Sequence, residues 1–327
     1  MKYLSPSLAL AAILTTAFPT IHRQASSPTS TAPPAWAYAL AAPDYKLPAD
    51  DGTLRHVPGS SAAWTLTQLR DRFFAADWHP TDHPQMPEIV VHGRKPDVNA
   101  CGFCHRADGP GGPENANLAG LPAAYIVEQM ADFKSGARKS SLAELSPPKN
   151  MIATAKAVSD EDVAQAAAYF SGLKPRRLIT VIESAEVPKT YVAAFVYSPR
   201  DGSEKEPIGD RIIEMPKDLE QFESRDTHSE FIAYVPPGSI AKGRDMAETG
   251  GGGKTTACTT CHGKDLRGVG AVPGIAGRSP SYLMRQLYDV KFGARNGKGS
   301  TPMKLVLANL SESDMLSLAA YAASREP

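Results

Sequence analysis

The chain has 327 residues, and 35 Lys and Arg residues balance 35 Asp and Glu residues, so its formal net charge at pH 7 is zero. This balance argues against a nucleic-acid partner and against a strongly acidic docking protein. The apolar share of 42% is ordinary for a soluble globular chain, and the length suffices for two domains with connecting segments.

An export signal is predicted at the N-terminus. Lys2 precedes a mostly apolar run from Leu4 to Phe18, which is shorter than the roughly 20 residues that span a bilayer. Small-residue cleavage candidates are Ala35-Trp36-Ala37, Ala37-Tyr38-Ala39 and Ala39-Leu40-Ala41. We assign residues 1–42 to targeting and expect a periplasmic mature protein; membrane association would require an uncleaved N-terminus or a membrane-bound partner.

Residues 43–99 form an N-terminal extension. Ala62 to Ala75 has helical character, whereas His79-Pro80 and His83-Pro84 favour extended or turn conformations. His79, His83 and His92 are candidate ligands for a metal or a haem iron, although most histidines in such loops are simply exposed.

All four cysteines occur in two Cys-x-x-Cys pairs that are followed directly by histidine. The motifs are Cys101-Gly102-Phe103-Cys104-His105 and Cys258-Thr259-Thr260-Cys261-His262. This pattern is the attachment motif of c-type haem, in which the thiols bond the porphyrin and the imidazole reaches the iron. We therefore expect two covalently bound haem c groups.

Two alternatives for these cysteines are a zinc site and a redox-active Cys-x-x-Cys. Zinc ribbons set their pairs about 15–20 residues apart, whereas 157 residues separate Cys101 from Cys258. Neither alternative requires a histidine after both pairs, so both are disfavoured.

Capped amphipathic helices follow each motif. Helices are predicted over Pro122–Ser135 and Pro280–Phe292, which Gly136 and Gly293 would stop. Ser159 and Ser311 are typical N-caps of two further helices that run to Ser171 and Ser324. Another helix, Ser239–Thr249, precedes the second motif.

Residues 176–238 differ in composition. β-branched and aromatic runs, separated by turn residues, predict a β-rich insertion of three or four strands. These runs are Leu178–Ile182, Tyr191–Tyr197, Ile212-Ile213 and Phe231–Val235. The insertion either clamps the flanking domains together or serves docking or spacing.

The two halves are copies of one unit. With an offset of 157, Tyr125 matches Tyr282, Gln129 matches Gln286 and Arg138 matches Arg295. After a five-residue gap in the second copy the offset becomes 152, and Met151 then matches Met303. The chain therefore contains a duplicated domain.

The repeat also selects the second axial ligand of each iron, commonly methionine in electron-transfer cytochromes. In the alignment of the two copies, an aliphatic residue occupies the position equivalent to each of Met130, Met284 and Met315, an exchange that core packing allows. Only Met151 and Met303 are methionine in both, and each follows a proline-containing segment that we expect to be non-helical. We therefore expect His105/Met151 and His262/Met303 ligation.

Each copy resembles class I cytochrome c. The resemblance rests on Cys-x-x-Cys-His, followed by Leu/Ile-Ala-Gly, Tyr-x-x-x-Gln, Gly-Ala-Arg, a methionine and a closing helix with tyrosine. Two in tandem resemble the dihaem cytochromes of the c4 type. The resemblance implies a mainly α fold, two class I cytochrome c domains joined by the small β-rich insertion. The expected boundaries are 100–175 for the first domain, 176–238 for the insertion and 239–327 for the second domain.

The second copy carries Pro273 before Ile275, as the family usually does, whereas the first carries Ala116. If a backbone carbonyl there accepts the Nδ1–H of the ligand histidine, alanine supplies it equally well. Arg138 and Arg295 are interpreted either as solvated or as partners of haem propionates. Tyr125 and Tyr282 are interpreted as packing in the haem pocket.

An electron carrier, not an enzyme, is the expected function, either free or as the cytochrome subunit of an oxidoreductase, with donor and acceptor proteins as partners. The main alternative is a dihaem enzyme such as a peroxidase, which needs an open iron position near acid–base residues. Thiosulfate-oxidising enzymes with a cysteine ligand are disfavoured because all four cysteines are used. A sensor or scaffold would require a labile axial ligand.

Overall fold

The structure, a computed structural model, describes Met1 and residues 32–327; the apolar run Leu4–Phe18 lies outside the described residues. Residues 33–327 form one unit. Helices in the first half are α1 (Leu66–Leu69), α2 (Glu88–Val91), α3 (Cys101–His105), α4 (Ala123–Ser135), α5 (Ser146–Ala157) and α6 (Asp160–Ser171). Helices α5 and α6 pack on α4 around a core that includes Ile126, Ala167 and Phe170.

The second half repeats this arrangement. Its helices are α7 (Leu219–Glu223), α8 (Ser239–Thr249), α9 (Thr259–His262), α10 (Pro280–Lys291), α11 (Thr301–Leu307) and α12 (Glu312–Ser324). Helix α12 packs between α8 and α10, burying Met284, Tyr288 and Met315 completely. The predicted helices from the repeat are confirmed within two residues, because their caps are local signals: Ser159 and Ser311 accept hydrogen bonds from the amides of Asp162 and Asp314.

Two local predictions are wrong. The extension has only the four-residue α1 where a helix over Ala62–Ala75 is predicted. The segments leading to Met151 and Met303 are helical, because Pro147, Pro148 and Pro302 lie in the first turns of α5 and α11. Proline is accepted there since its missing N–H would have no intrahelical partner.

The strands of the described residues all lie between 179 and 235. They are β1 (Ile179–Glu183), β2 (Glu186–Pro188), β3 (Thr190–Ala193), β4 (Val196–Pro199), β5 (Lys205–Pro207), β6 (Ile213–Pro216) and β7 (Phe231–Val235). One sheet has the order β1-β7-β6, with β1 parallel and β6 antiparallel to β7; β2 pairs with β5, and β3 with β4. The run Tyr191–Tyr197, predicted as one strand, is a tight hairpin whose turn residue Ala194 has a φ of 54°.

The N-terminal extension (residues 43–99) and the strand-bearing segment (residues 176–238) pack on each other. Trp78 is buried, and its Nε1 donates to Ser224 O at 2.8 Å. Arg225, just after α7, donates from Nε to Leu69 O at 2.7 Å. On the other side, Val181 and Val235 join the core formed with α10 and α12. The segment 176–238 therefore contacts both copies of the repeat.

Candidate haem-binding site

Each Cys-x-x-Cys-His motif forms a short helix that points a buried histidine inward. His105 Nδ1 lies 2.9 Å from Ala116 O, and His262 Nδ1 lies 2.8 Å from Pro273 O. Because a carbonyl oxygen only accepts, Nδ1 carries the proton in both rings and Nε2 keeps the lone pair that an iron requires. The carbonyl expected for Ala116 is confirmed, so the Ala116/Pro273 difference leaves this contact unchanged.

Burial lowers the pKa of His105 and of His262, while the hydrogen bond to the backbone carbonyl opposes the shift. A lowered pKa favours the neutral imidazole at neutral pH. Only the neutral ring offers a nitrogen lone pair to a metal. The protonation state of both histidines therefore suits iron binding.

The predicted residues of both sites line one continuous cavity. Its walls include Cys101, Cys104, His105, Met151, Cys258, Cys261, His262 and Met303. Apolar side chains such as Leu118, Ile126 and Leu287 make up much of the remaining lining. The donor set and the apolar surroundings fit two covalently attached haems.

The structure distinguishes candidate iron ligands from core residues for only some of the methionines. Met284 and Met315 are fully buried and are absent from the cavity lining, as expected for core residues. Met130 also lines the cavity, beside the half-buried Met151. Repetition in the second copy remains the criterion that distinguishes Met151 from Met130.

The repeated arginines bind across the boundary between the two copies. Arg138 Nη2 donates to Tyr282 Oη and to Gln286 Oε1, both at 2.9 Å. Arg295 Nη2 makes the reciprocal bonds to Tyr125 Oη and Gln129 Oε1, both at 2.8 Å. The backbones of Arg138 and Arg295 also pair as an isolated antiparallel β-bridge, so the walls of both pockets are joined.

Two further arginines line the same cavity and escaped the sequence analysis. Arg278 donates to Asn117 O at 2.7 Å and to Ala119 O at 2.9 Å, and Arg285 donates to Ala37 O at 2.8 Å. Leu121 and Glu128 occupy the equivalent positions in the first copy, so the repeat does not reveal them. Burial beside a cavity is the only signal, and it comes from the structure.

These four guanidinium groups place positive charge in the interior. In residues 32–327, none of Arg138, Arg278, Arg285 and Arg295 has a carboxylate oxygen within 4.0 Å. The Nε atoms of Arg278 and Arg295 are buried without a hydrogen-bond partner. Unpaired buried charge is unfavourable, so the cavity suits a ligand that brings anionic groups, as the propionates of haem do.

The histidines of the extension have other partners. His79 Nε2 bonds Asp226 Oδ1 at 2.9 Å, His83 Nε2 bonds Asp77 Oδ1 at 3.1 Å, and the exposed His92 bonds Phe73 O at 3.3 Å. His79, Asp226 and His228 are close enough together to bind a metal ion. However, the rings of His79 and His228 are stacked 3.7 Å apart at 6°, so their in-plane lone pairs cannot converge on one ion. This cluster ties the extension to the strand-bearing segment.

Comparison with known proteins agrees with this geometry. The cytochrome c family model matches residues 92–174. The chain is 27% identical to cytochrome c4 of Pseudomonas aeruginosa over 225 residues, which cover 68% of this chain and 81% of that protein. It is 26% identical to the thiosulfate dehydrogenase electron acceptor of Thiomonas intermedia over 233 residues, 70% of this chain and 80% of that one.

A shorter match has a higher identity. Over 75 residues the chain is 37% identical to cytochrome c-554(548) of Halomonas halodenitrificans, covering 23% of this chain and 84% of that protein. The chain therefore belongs to the cytochrome c family, as a tandem dihaem electron-transfer cytochrome of the c4 type with two covalently bound haem c groups.

Proposed function

We propose that this protein is an exported electron carrier that accepts electrons from a redox enzyme and passes them to a second partner. The reciprocal Arg138 and Arg295 bonds carry this proposal, because they join the walls of the two pockets along one cavity. A relative is named as the electron acceptor of thiosulfate dehydrogenase, which makes an enzyme that oxidises sulfur compounds a specific candidate donor.

In this proposal Cys101 and Cys104 attach the first haem, and Cys258 and Cys261 attach the second. His105 and His262 would bind iron through Nε2, and Met151 and Met303 would supply the second protein ligand of each iron. Bound haem supplies one-electron redox chemistry. The apolar cavity lining limits water access, and the buried arginines hold the propionates.

Export agrees with the chemistry of haem attachment, which takes place outside the cytoplasm and requires an unfolded chain with reduced cysteine thiols. The predicted signal lies in residues that the structure does not describe. No helix of residues 32–327 is both long and apolar enough to cross a membrane. The site of haem attachment makes the periplasm the proposed compartment.

The axial assignment is tested by the weak far-red charge-transfer band that methionine–iron bonding produces in the oxidised protein. Met151→Ala and Met303→Ala should each remove about half of this band, since each takes one of two equivalent ligands. Met130→Leu is the matched control, because Leu287 occupies its equivalent position. Loss of the band in Met130→Leu would move the first ligand to Met130.

The same purified protein tests the carrier function. With both irons closed by methionine, we expect rapid reduction by a small mediator, a reduced spectrum unchanged by carbon monoxide, and only trace peroxide turnover. Sustained peroxide reduction, together with carbon monoxide binding at one haem, would favour a dihaem enzyme instead.

A further inference from the structure

The two haem motifs are similar in sequence but differ in how much of them reaches solvent. We infer that external electron exchange takes place at the second motif, where an acidic redox protein docks, whereas the chain itself covers the first motif. The docking surface consists of exposed residues: Thr260, Cys261, Lys264, Arg267, Val269 and Ala271. This inference rests on the proposed carrier function and assigns its port, which is the surface through which electrons enter or leave the protein.

Position-by-position comparison of the copies shows the difference. Ala107, Asp108 and Gly112 are buried, whereas their equivalents Lys264, Asp265 and Val269 are exposed. Val269 is 60% exposed, whereas Gly112 at the equivalent position is buried. Cys104 is half-buried, but Cys261 is exposed. The cover is therefore specific to the first copy.

Arg225 provides part of this cover from the segment after α7. It donates from Nη1 to Phe103 O at 2.7 Å, and its guanidinium lies 3.8 Å from the centre of the Phe103 ring. Arg106, within the first motif's loop, donates to Phe222 O at 3.2 Å. Arg225 has a φ of 62°, an unfavourable conformation for arginine that these contacts must offset.

The extension covers the same motif from another side. A Cβ atom at Gly102 would lie 2.6 Å from Ala75 Cβ and 3.0 Å from Val90 O, so only glycine permits this approach. The second copy has the half-exposed Thr259 at the equivalent position. The larger side chain is accepted there at a position that is not fully buried.

The exposed surface has the composition of a docking site for an acidic partner. Lys264 and Arg267 stand where the first copy has Ala107 and Pro110, and with Asp265 they leave one net positive charge. Val269 and Ala271 supply an apolar centre, as transient interfaces use. Cys261 and Ala271 also line the haem cavity, so the cavity wall reaches solvent at this surface.

Hexacyanoferrate, a small anionic redox probe, tests the port in the loaded protein. Stopped-flow oxidation of the reduced protein by ferricyanide should be about 3–10-fold slower in the Lys264→Glu/Arg267→Glu variant at low ionic strength. The difference should vanish at high ionic strength, because salt screens exposed charges. Lys264→Gln, which only removes charge, should give a smaller reduction and covers the case in which the double variant does not fold.

Two charge reversals elsewhere serve as controls. Lys149→Glu changes the exposed charge two residues before Met151 in the first copy, and Lys205→Glu changes an exposed lysine of β5. Both should retain the parent rate. Slowing by Lys149→Glu with no effect at Lys264 would overturn the inference and move the port to the first motif. Slow oxidation of the parent protein at every ionic strength would instead count against the carrier function itself.

Discussion

Among single residues, Arg138, Arg278, Arg285 and Arg295 bring four guanidinium groups to the haem cavity. Burial by itself would raise the pKa of the Tyr125 phenol, but the nearby Arg295 and Arg138 outweigh it and hold the pKa below its usual value. Burial lowers the pKa of Arg278 to about 10. The first shift comes from the positive charge beside the Tyr125 hydroxyl, and the second from the removal of the Arg278 guanidinium from water.

Arg295→Gln tests this charge. Loss of a buried cation should favour the ferric state, which carries the additional positive charge, and lower the midpoint potential of at least one haem. We expect about 30–60 mV, equivalent to roughly 0.7–1.4 kcal/mol for one electron, in a spectroelectrochemical titration. Arg200→Gln, at an exposed position, is the control. Unchanged potentials in a folded Arg295→Gln protein would show that Arg295 does not influence either haem.

At the scale of elements, the closing helices α6 and α12 share a cap but differ in charge partners. Asp162 pairs with Arg94 at 2.6 Å, whereas Asp314 pairs with both Lys242 and Lys254. Burial would raise the pKa of Asp314, but hydrogen bonds from Lys254 and Ser311 outweigh it and hold the pKa well below the usual 3.8. The ionised carboxylate therefore stabilises the folded state.

Asp314→Asn should lower the free energy of unfolding at pH 7 by about 1–2 kcal/mol, since it weakens a cap and two charge-assisted contacts. Because the folded pKa is depressed, the stabilisation is complete above pH 3.8, the unfolded value, and is lost as pH falls toward the folded one. Denaturant unfolding of parent and variant should therefore converge in acid. Asp160→Asn, whose side chain is 97% exposed, is the control; a difference independent of pH would exclude Asp314 ionisation as the cause.

At the scale of the whole molecule, the residues beyond the repeat are structural partners of the haem domains. The segment before residue 43, assigned to targeting, includes residues packed against the second copy. Tyr38 is 2% exposed, and its hydroxyl donates to Asp289 Oδ1 at 2.7 Å. Arg285 binds the carbonyl of Ala37 at 2.8 Å.

We therefore expect the mature chain to retain Ala37 and Tyr38, with any cleavage before Ala35. Cleavage at any of the three predicted small-residue sites would remove Ala37, and at two of them Tyr38 as well, and would expose Arg285 and Asp289 to water. Intact-mass measurement of the exported protein, with two haem additions, locates the first residue. A mature chain that starts at Tyr38, Leu40 or Ala42 would contradict this expectation.

The haem chemistry, the duplication and the principal helices are predictable from the amino-acid sequence. Covalent attachment needs cysteines and histidine at fixed short spacing, and helix caps such as Ser159 and Ser311 act within one turn, so both are readable locally. The proline pattern predicts non-helical segments before Met151 and Met303, which is wrong because Pro147 and Pro302 lie in the first turns of helices. Met151 and Met303 were separated from other methionines by repetition, which also requires no coordinates.

Which surfaces meet is visible only in the folded chain. Arg138 and Tyr282 are 144 residues apart, and Arg225 and Phe103 are 122 apart, so no local pattern relates them. Arg278 and Arg285 read as ordinary surface residues until folding places them beside the cavity. The two motifs differ in exposure for the same reason: exposure depends on long-range packing, and that packing partly covers Cys104 while leaving Cys261 at the surface.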